Sequence, residues 1–478
     1  KNLPPEEIGV AYSARLTDVR SDTIVPNQTF TAAALDVAGT SGDIAIVGDA
    51  QLGGLDIGGT WSAALGPDSG GRSRVEGWLG FSEAAAKQLN LGLPPGSIGG
   101  STRAQIRLDI ARDRAPEFRL TSDLRGLSVR LDSLAWSLGR DQSGTLEITG
   151  ALGAPPRIDR LVLDAPGLAA TGTVSLRAGG GLDTARFDRV RIGSWLDAPV
   201  VLSGRGKGAA PKVVVSGGSV DLRSLNLGKG GGEGGPLTLT LDRLQVSDSI
   251  AIRGMRGEFT TRGGLSGKFA GSVNGRAPVA GTVVPRGGRS AVRITSEQAG
   301  AVLSAAGLLK QGREGALDLT LNPVGTAGSY DGLLKVSGLW IQDAPAMASL
   351  LSALSIVGLL EQMSGGGILF NNVEADFRLT PSQVILRSSS AVGASMGVSM
   401  DGYYDVKREQ MDMQGVISPL YALNGIGQIF SRKGEGLVGF NYRLTGPAKQ
   451  PKVQVNPLSL FTPGMFRDIF RRPAPTTN

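Results

Sequence analysis

The chain has 478 residues, of which 72 are glycine and none is histidine or cysteine. The lack of cysteine excludes disulfides, zinc fingers and thiol nucleophiles, and the lack of histidine removes the Ser-His-Asp triad and the commonest metal ligand. Lysine and arginine number 49 against 42 acidic residues, a net charge of +7 that is mild for this length. The composition therefore predicts a non-enzymatic protein without cofactor or metal site, although carboxylate chemistry, as in glycosidases, stays open.

Three segments are predicted along the chain. Residues 1–99 form a β-rich segment that ends in a short helix capped by Ser82. Residues 100–329 form a central, repetitive β-sheet, and its glycine-rich loop at 228–235 is either a linker or a long hairpin loop. A phosphate-binding Walker loop is disfavoured there, because its lysine is followed by glycine instead of serine or threonine. Residues 330–478 form a C-terminal module with different patterning.

Strict alternation of apolar and polar residues recurs throughout the chain. From Ala104 to Ile110 the two classes swap at every step, so a β-strand places four apolar side chains on one face. Such a face, in a chain with few residues suited to catalysis, indicates a protein that holds or conducts something apolar. The alternative for each strand is that its apolar face packs inside a closed β-sandwich core. The candidate contact residues in four such strands are Ala104, Ile106, Leu108, Ile110, Leu237, Leu239, Leu241, Leu317, Leu319, Leu321, Val373, Ala375, Phe377 and Leu379.

Glycine and proline divide the strands from one another. Turns are predicted at glycines, among them Gly150 and Gly167. A weak repeat also appears, in which a glycine turn is followed by a proline, a basic residue and a new strand, as at Pro156-Arg157, Pro211-Lys212 and Pro451-Lys452. Because proline is tolerated at strand starts and edges, this recurrence predicts a repeated β-hairpin whose second strand begins just after the proline. Chance recurrence is the alternative.

An apolar helix is predicted at 344–363. Its uncharged part, 344–360, is short for a bilayer span of about 20 residues, which favours a buried helix. Two roles stay open: a core filler that plugs the end of the β structure, or an element that docks on a membrane or gates an exit. The charged residues Asp343 and Glu361 at its ends favour the plug.

A last helix is predicted near 463–470, and it is followed by arginines. Apolar side chains next to arginine suit a helix at a membrane interface, although packing against the last strand is favoured. The arginines otherwise form a solvated basic terminus. The candidate membrane contacts are Phe461, Met465, Phe466, Ile469, Phe470, Arg471 and Arg472.

The motif order in the last third of the chain resembles the AsmA-like superfamily of Gram-negative bacteria, most closely the branch that includes YhdP. The ending, from Tyr442 to Gly464, is its most specific part, and 121–127 and 216–223 resemble the central portion of the same family more weakly. The motifs that carry the resemblance are Gly332 to Val336, the apolar helix, Gly365 to Phe370, Ala375 to Phe377, Met396 to Asp405, Met411 to Pro419, Tyr442 to Gly446 and Pro451 to Gly464.

This resemblance implies the fold class, which is mainly β: an extended, twisted, mostly antiparallel β-sheet groove, open along its apolar interior, with a few helices and a C-terminal α+β module. It also implies phospholipid transport through the periplasm between inner and outer membranes, with the protein tethered to the inner membrane. Since the chain begins at Lys1 without a signal-like stretch, we expect the tether in a segment absent from this chain. The expected partners are phospholipid acyl chains, both membrane surfaces and envelope proteins, and not nucleic acid.

Two other functions stay open at this stage. A scaffold for outer-membrane protein assembly would bind its clients at exposed strand edges. A carbohydrate-active β-solenoid would use paired carboxylates, but it would need aromatic sugar platforms and a regular coil repeat, and neither is clear in the sequence.

Overall fold

The computed structural model describes residues 9–25, 28–89, 93–178, 180–206, 208–224, 234–342, 347–348, 351–352, 361–362, 366–419, 432–436, 438–448, 450–461 and 471–473. The fold is mainly β, as predicted, with 64% of the chain in strands and 7% in helices, so sheets set its architecture. Among these residues, α1 is Glu83–Gln88 and α2 is Ala299–Ala305, and short 3-10 turns lie at Pro67–Ser69, Asp132–Leu134 and Pro457–Phe461. The Ser82 hydroxyl caps α1 by accepting the Ala85 N–H at 3.4 Å, which confirms that prediction.

The chain divides into two compact units, Lys1–Leu237 and Thr238–Asn478. In unit 1 each strand from β1 to β7 lies antiparallel to the next, β7 lies beside β10, and the succession continues to β15. Strand β8 lies between β6 and β9, and β16 lies beside β14. The strands are β1 (Ala11–Val25), β2 (Gln28–Thr40), β3 (Asp43–Leu52), β4 (Leu55–Ala64), β5 (Ser73–Ser82), β6 (Ile98–Ile110), β7 (Glu117–Ser122), β8 (Leu127–Leu131), β9 (Trp136–Leu138), β10 (Thr145–Ala151), β11 (Arg157–Ala165), β12 (Leu168–Leu176), β13 (Leu182–Ile192), β14 (Leu196–Ser203), β15 (Lys212–Ser216) and β16 (Ser219–Asp221).

The unit boundary falls within β17 (Pro236–Gln245). In unit 2 the antiparallel succession runs from β18 to β21, passes to β23 and continues to β30, while β22 lies beside β24. Its strands are β18 (Ala251–Thr260), β19 (Ser266–Val273), β20 (Ala277–Arg286), β21 (Arg289–Ser296), β22 (Gly312–Arg313), β23 (Ala316–Pro323), β24 (Tyr330–Ile341), β25 (Ile368–Leu379), β26 (Gln383–Val392), β27 (Met396–Asp405), β28 (Gln410–Pro419), β29 (Phe440–Pro447) and β30 (Lys452–Asn456).

The repeated proline device begins three of these strands. Arg157, Lys212 and Lys452 are each the first residue of a strand and directly follow a proline, so that part of the prediction is confirmed, whereas the preceding glycine lies inside a strand at Gly150 and at Gly446. The turn expected at Gly150 is wrong, because Gly150 lies inside β10 where the register with β11 shifts. A Cβ there would lie 2.1 Å from the Arg157 carbonyl oxygen, so close backbone approach explains the glycine. Gly167 does form a turn, with φ of 76°.

The boundaries expected at 99/100 and 329/330 stay predictions. The glycine-rich loop at 228–235 falls largely outside the described residues, since 225–233 are not among them. It lies just before the unit boundary at Leu237.

Candidate apolar binding faces

Strand registers join the predicted apolar residues of unit 1 into rows on one face of its sheet. Because directly opposed residues of neighbouring strands point to the same face, each row can be followed from strand to strand. The first row is Ile106, Leu120, Ile148, Leu161, Gly172, Phe187, Val200 and Val215. The second is Leu108, Phe118, Gly150, Ile158, Val174, Ala185, Leu202 and Val213. We call these two rows the unit 1 apolar face.

The unit 1 apolar face is only partly shielded from solvent. Ile106, Leu108 and Ile110 are half-buried, while the intervening Arg107 is exposed. In the middle of β6 Ala104 is 3% exposed, and α1 contacts both β5 and β6. Ala104 is therefore packed against protein, whereas Ile106, Leu108 and Ile110 keep part of their surface in solvent.

The opposite face of this sheet is polar and charged. Arg74 bonds Asp109 at 2.6 Å and Arg119 bonds Glu147 at 3.0 Å, and the arginines of both pairs are largely exposed. The hydrogen bond from Arg74 is the main reason that the pKa of Asp109 lies below its ordinary value. Charge is thus kept on the solvated side, where exposed pairs contribute little to stability.

In unit 2 the register brings most of the remaining candidates together. Leu317, Leu319 and Leu321 on β23 lie opposite β24 residues that in turn lie opposite β25 residues. Leu319 and Leu321 are half-buried, whereas Leu317 is 5% exposed. We call the following rows the unit 2 apolar face: Leu317–Val336–Val373, Leu319–Leu334–Ala375 and Leu321–Gly332–Phe377, with Leu379 opposite Tyr330 beside them.

The candidates on β17 differ among themselves. Leu237 and Leu239 are half-buried, but Leu241 is 1% exposed. Like Ala104 and Leu317, Leu241 is a packed residue in this structure.

Aromatic rings lie over glycines of neighbouring strands on the same side of the unit 2 sheet. A Cβ on Gly281 would lie 2.3 Å from the Phe269 ring, and one on Gly332 would lie 2.2 Å from the Phe377 ring. These rings cover the backbone of the glycine, which has no side chain of its own. Each ring therefore lies flat against the sheet and adds apolar area to it.

The end of unit 2 contains a sealed hydrophobic core. Val373, Ala375 and Phe377 pack against it, so these three candidates contact protein. The C-terminal core consists of Leu351, Ile368, Phe370, Leu386, Met396, Met413, Ile417, Tyr442 and Leu444.

A buried ionic cluster covers the other side of the same strands. The Arg471 guanidinium lies 3.0 Å from Asp401 Oδ1 and 2.5 Å from Glu435 Oε1, and all three side chains are at most 5% exposed. Glu435 also accepts the Ser399 hydroxyl at 2.7 Å. The Tyr442 hydroxyl donates to the Ser399 carbonyl at 2.9 Å, and burial raises the pKa of this phenol. The cluster fastens the residue 471 region to β27.

The membrane-contact candidates are only partly described. Arg471 is buried in the ionic cluster. Arg472 is half-exposed and donates to Asp412 at 2.8 and 3.0 Å. Phe461 ends the 3-10 turn Pro457–Phe461. The remaining candidates, Met465, Phe466, Ile469 and Phe470, lie outside the described residues.

No local sequence signal indicates the ionic cluster. Arg471 is 70 residues from Asp401 and 36 from Glu435 along the chain, so only the folded sheet brings the three charges together.

The apolar helix expected at 344–363 is described at 347–348, 351–352 and 361–362, all of them helical, and its other residues lie outside the described part. Leu351 is 0% exposed, and Met347 and Ala348 pack against the C-terminal core. These contacts favour the plug. Across the described residues, no helix has the length and apolarity that a membrane crossing requires.

Comparisons with protein-family models, with curated proteins and with solved structures find no match to this chain.

Proposed function

We propose that the chain is a non-enzymatic lipid-binding protein that takes phospholipid acyl chains on its apolar faces and conducts phospholipid between the inner and outer membranes of a Gram-negative envelope. The observation that carries this proposal is the unit 1 apolar face, whose rows cross β6, β7 and β10 to β15 and include half-buried Ile106 and Leu108. The AsmA-like sequence resemblance supports it, and it supplies the periplasmic location.

Energetics favour an apolar ligand on this face. Half-buried aliphatic side chains leave apolar surface in water, and each CH₂ group buried contributes about 0.8 kcal/mol. An acyl chain laid across Ile106, Leu120 and Ile148 would cover both its own surface and theirs.

The distribution of charge suits a ligand with one polar end. The ion pairs Arg74–Asp109 and Arg119–Glu147 lie on the opposite face, so the two rows present no charged side chain to an acyl chain. Aliphatic rows bind hydrocarbon without directional contacts, which allows a chain to shift along them. A phospholipid head group would stay in water at the open side of the face.

Photocrosslinking combined with lipid analysis tests the proposal directly. The chain is purified from a Gram-negative host with benzoylphenylalanine at Phe118, on the apolar face, or at its exposed neighbour Arg119. We expect crosslinked phospholipid, identified by mass spectrometry, at position 118 and at least five times less at position 119. Equal yields at the two positions, or no bound phospholipid in the extract, would contradict the proposal.

A charge substitution gives an independent test. Ile106→Asp places a carboxylate in the first row, and we expect it to reduce bound phospholipid several-fold because a charge is costly to cover with hydrocarbon. Gln105→Asp, one residue away on the exposed face, is the matched control and should bind lipid like the parent chain. Circular dichroism would show whether both variants keep their sheet content.

One observation favours a second function, the assembly scaffold. Within the described residues β1 has a register with β2 alone, and most of its residues are exposed. An exposed edge can add a strand from a partner. Proline at whichever of Ser13 and Ala14 has its N–H pointing away from β2 should then abolish binding of an envelope protein while leaving bound lipid unchanged.

A further inference from the structure

The connections between the strands of unit 1 differ in charge at the two ends of its sheet. Because successive strands run antiparallel, every second connection falls at the same end. One end holds residues 41–42, 65–72, 111–116, 152–156, 177–181 and 204–211. We call this end the unit 1 basic edge, because its sequence has more basic than acidic residues: Arg72, Arg112, Arg114, Arg177, Arg205 and Lys207 against Asp68 and Asp113.

The opposite end of the same sheet has no such excess. Up to β16, the charged residues in its connections are Lys87, Arg125 and Arg140 against Glu83, Asp123, Asp132 and Asp141. The helix α1 and the pair of β8 and β9 also lie at this end, and Leu127 and Leu138 in these two strands are 2% exposed. Positive charge is therefore in excess at one end of the unit 1 sheet only.

Neighbouring connections touch along the basic edge. A Cβ built on Gly71 would lie 3.5 Å from the Cβ of Arg112 in the next connection. The two further contacts are a 2.8 Å hydrogen bond from the Leu152 N–H to the Pro116 carbonyl and a hydrogen bond from the Arg177 guanidinium to the Gly204 carbonyl. The arginines of different hairpins thus belong to one row of loops.

Most arginines of this edge lack the carboxylate partners that arginines have on the polar face of the strands. There, Arg74 bonds Asp109 at 2.6 Å. Among the described residues of the chain, no ion pair is formed by four exposed arginines of the edge: Arg72, Arg112, Arg114 and Arg205. Their charge is therefore available to an anion from outside the protein.

The unit 1 apolar face reaches the strand ends beside this edge. Phe118 is the second residue of β7 and Ile158 is the second residue of β11, and both belong to the second row. At about 3.3 Å per residue, this row lies within roughly 7 Å of the connections. An acyl chain on the face and a phosphate at the arginines therefore fit within one phospholipid molecule.

On the basis of the proposed function, we propose that phospholipid lies on the unit 1 apolar face with its head group at the basic edge, and that this edge selects anionic over zwitterionic phospholipid. Both kinds of lipid carry a phosphate. The arginines repel the amine of phosphatidylethanolamine, whereas phosphatidylglycerol has a net negative charge and no amine. Arginines close to a lipid head group attract negative charge, and salt screens this attraction.

Competition between two lipids tests the selection in the full chain. The protein is incubated with vesicles of equal parts phosphatidylglycerol and phosphatidylethanolamine with the same acyl chains and is then separated from them by flotation. Mass spectrometry measures the lipid that stays bound. We expect about threefold more phosphatidylglycerol than phosphatidylethanolamine, and an even ratio in about 1 M salt, where the Debye length is about 3 Å.

Two double variants locate the selection on the sheet. Arg112→Gln with Arg114→Gln removes two charges from the basic edge and should bring the ratio close to even while total bound lipid stays similar, because the apolar rows are unchanged. The matched control, Arg125→Gln with Arg140→Gln, removes two exposed arginines at the opposite end and should keep the parent ratio. Circular dichroism checks that both variants keep their sheet content.

The outcomes separate the basic edge from the proposed function. An even ratio in the parent, a ratio that persists in high salt, or an equal fall in both double variants would overturn the basic edge while lipid binding stands. The equal fall would indicate a general attraction of the basic chain to anionic vesicles. An absence of bound phospholipid of either kind, together with no crosslink at position 118, would overturn the proposed function, and the head-group orientation with it.

Discussion

The unit 1 apolar face and the C-terminal core share the same alternation of apolar and polar residues, but they differ in how far their apolar side chains are buried. Ile106 and Leu108 belong to a sheet face that is only partly covered, whereas Met413 and Ile417 belong to strands covered on both sides. The cover in the second case comes from distant residues, Leu351 on one side and Arg471 on the other. Alternation therefore defines which side chains share a face, and the rest of the chain decides whether that face is open.

The largest effect is expected from the buried arginine. Arg471→Ala leaves Asp401 and Glu435 buried without their cation, and we expect a loss of about 5 kcal/mol in the free energy of unfolding of unit 2. Chemical denaturation monitored by circular dichroism measures it. The control Arg472→Ala removes a half-exposed arginine and should cost less than about 1 kcal/mol. Similar losses in both variants would mean that the ionic cluster does not hold the covered side.

A pair of phenylalanines compares the two regions directly. Phe370 is 1% exposed in the C-terminal core, so Phe370→Ala should cost about 3 to 5 kcal/mol through lost burial and a cavity. Phe187 is half-buried on the unit 1 apolar face, and Phe187→Ala should cost only about 1 to 2 kcal/mol while lowering bound phospholipid. Denaturation and lipid extraction on both variants test this. Equal costs, with lipid unchanged, would indicate that unit 1 is as sealed as the core.

The smallest effect concerns acid stability near the chain end. A hydrogen bond from Arg472, supported by one from Arg443, lowers the pKa of Asp412 from 3.8 to about 2. Because the folded-state pKa is depressed, the stabilisation is complete above about pH 4 and is lost as the pH falls through about 2. The Asp412 side chain is 38% exposed, so solvent screening limits this contribution to below about 1 kcal/mol.

Asp412→Asn tests this window. The free energy of unfolding of the parent should fall more steeply between pH 4 and pH 2 than that of the variant, and the two curves should run parallel above pH 5. Adding Arg472→Ala to Asp412→Asn should change little, since the arginine has then lost its partner. If the free energy of unfolding fell equally steeply between pH 4 and pH 2 in the parent and the variant, Asp412 would not contribute to the loss of stability in acid.

The sequence predicted the strands well because their information is local. The alternation from Ala104 to Ile110 lies within β6, and the proline device correctly marked the first residues of three strands. Gly150 was misread, since a glycine inside a strand and a glycine in a turn look alike without the register. Among the candidates, Ala104, Leu241 and Leu317 share the pattern of their neighbours, and only three-dimensional cover distinguishes them as packed.

The rings over strand glycines couple two positions that are far apart in the sequence. Gly332 and Phe377 lie on adjacent strands, and a side chain at 332 would push the ring upward from the sheet. Conversely, loss of the ring would leave the Gly332 backbone bare. We therefore expect each such pair to change together among relatives of this chain.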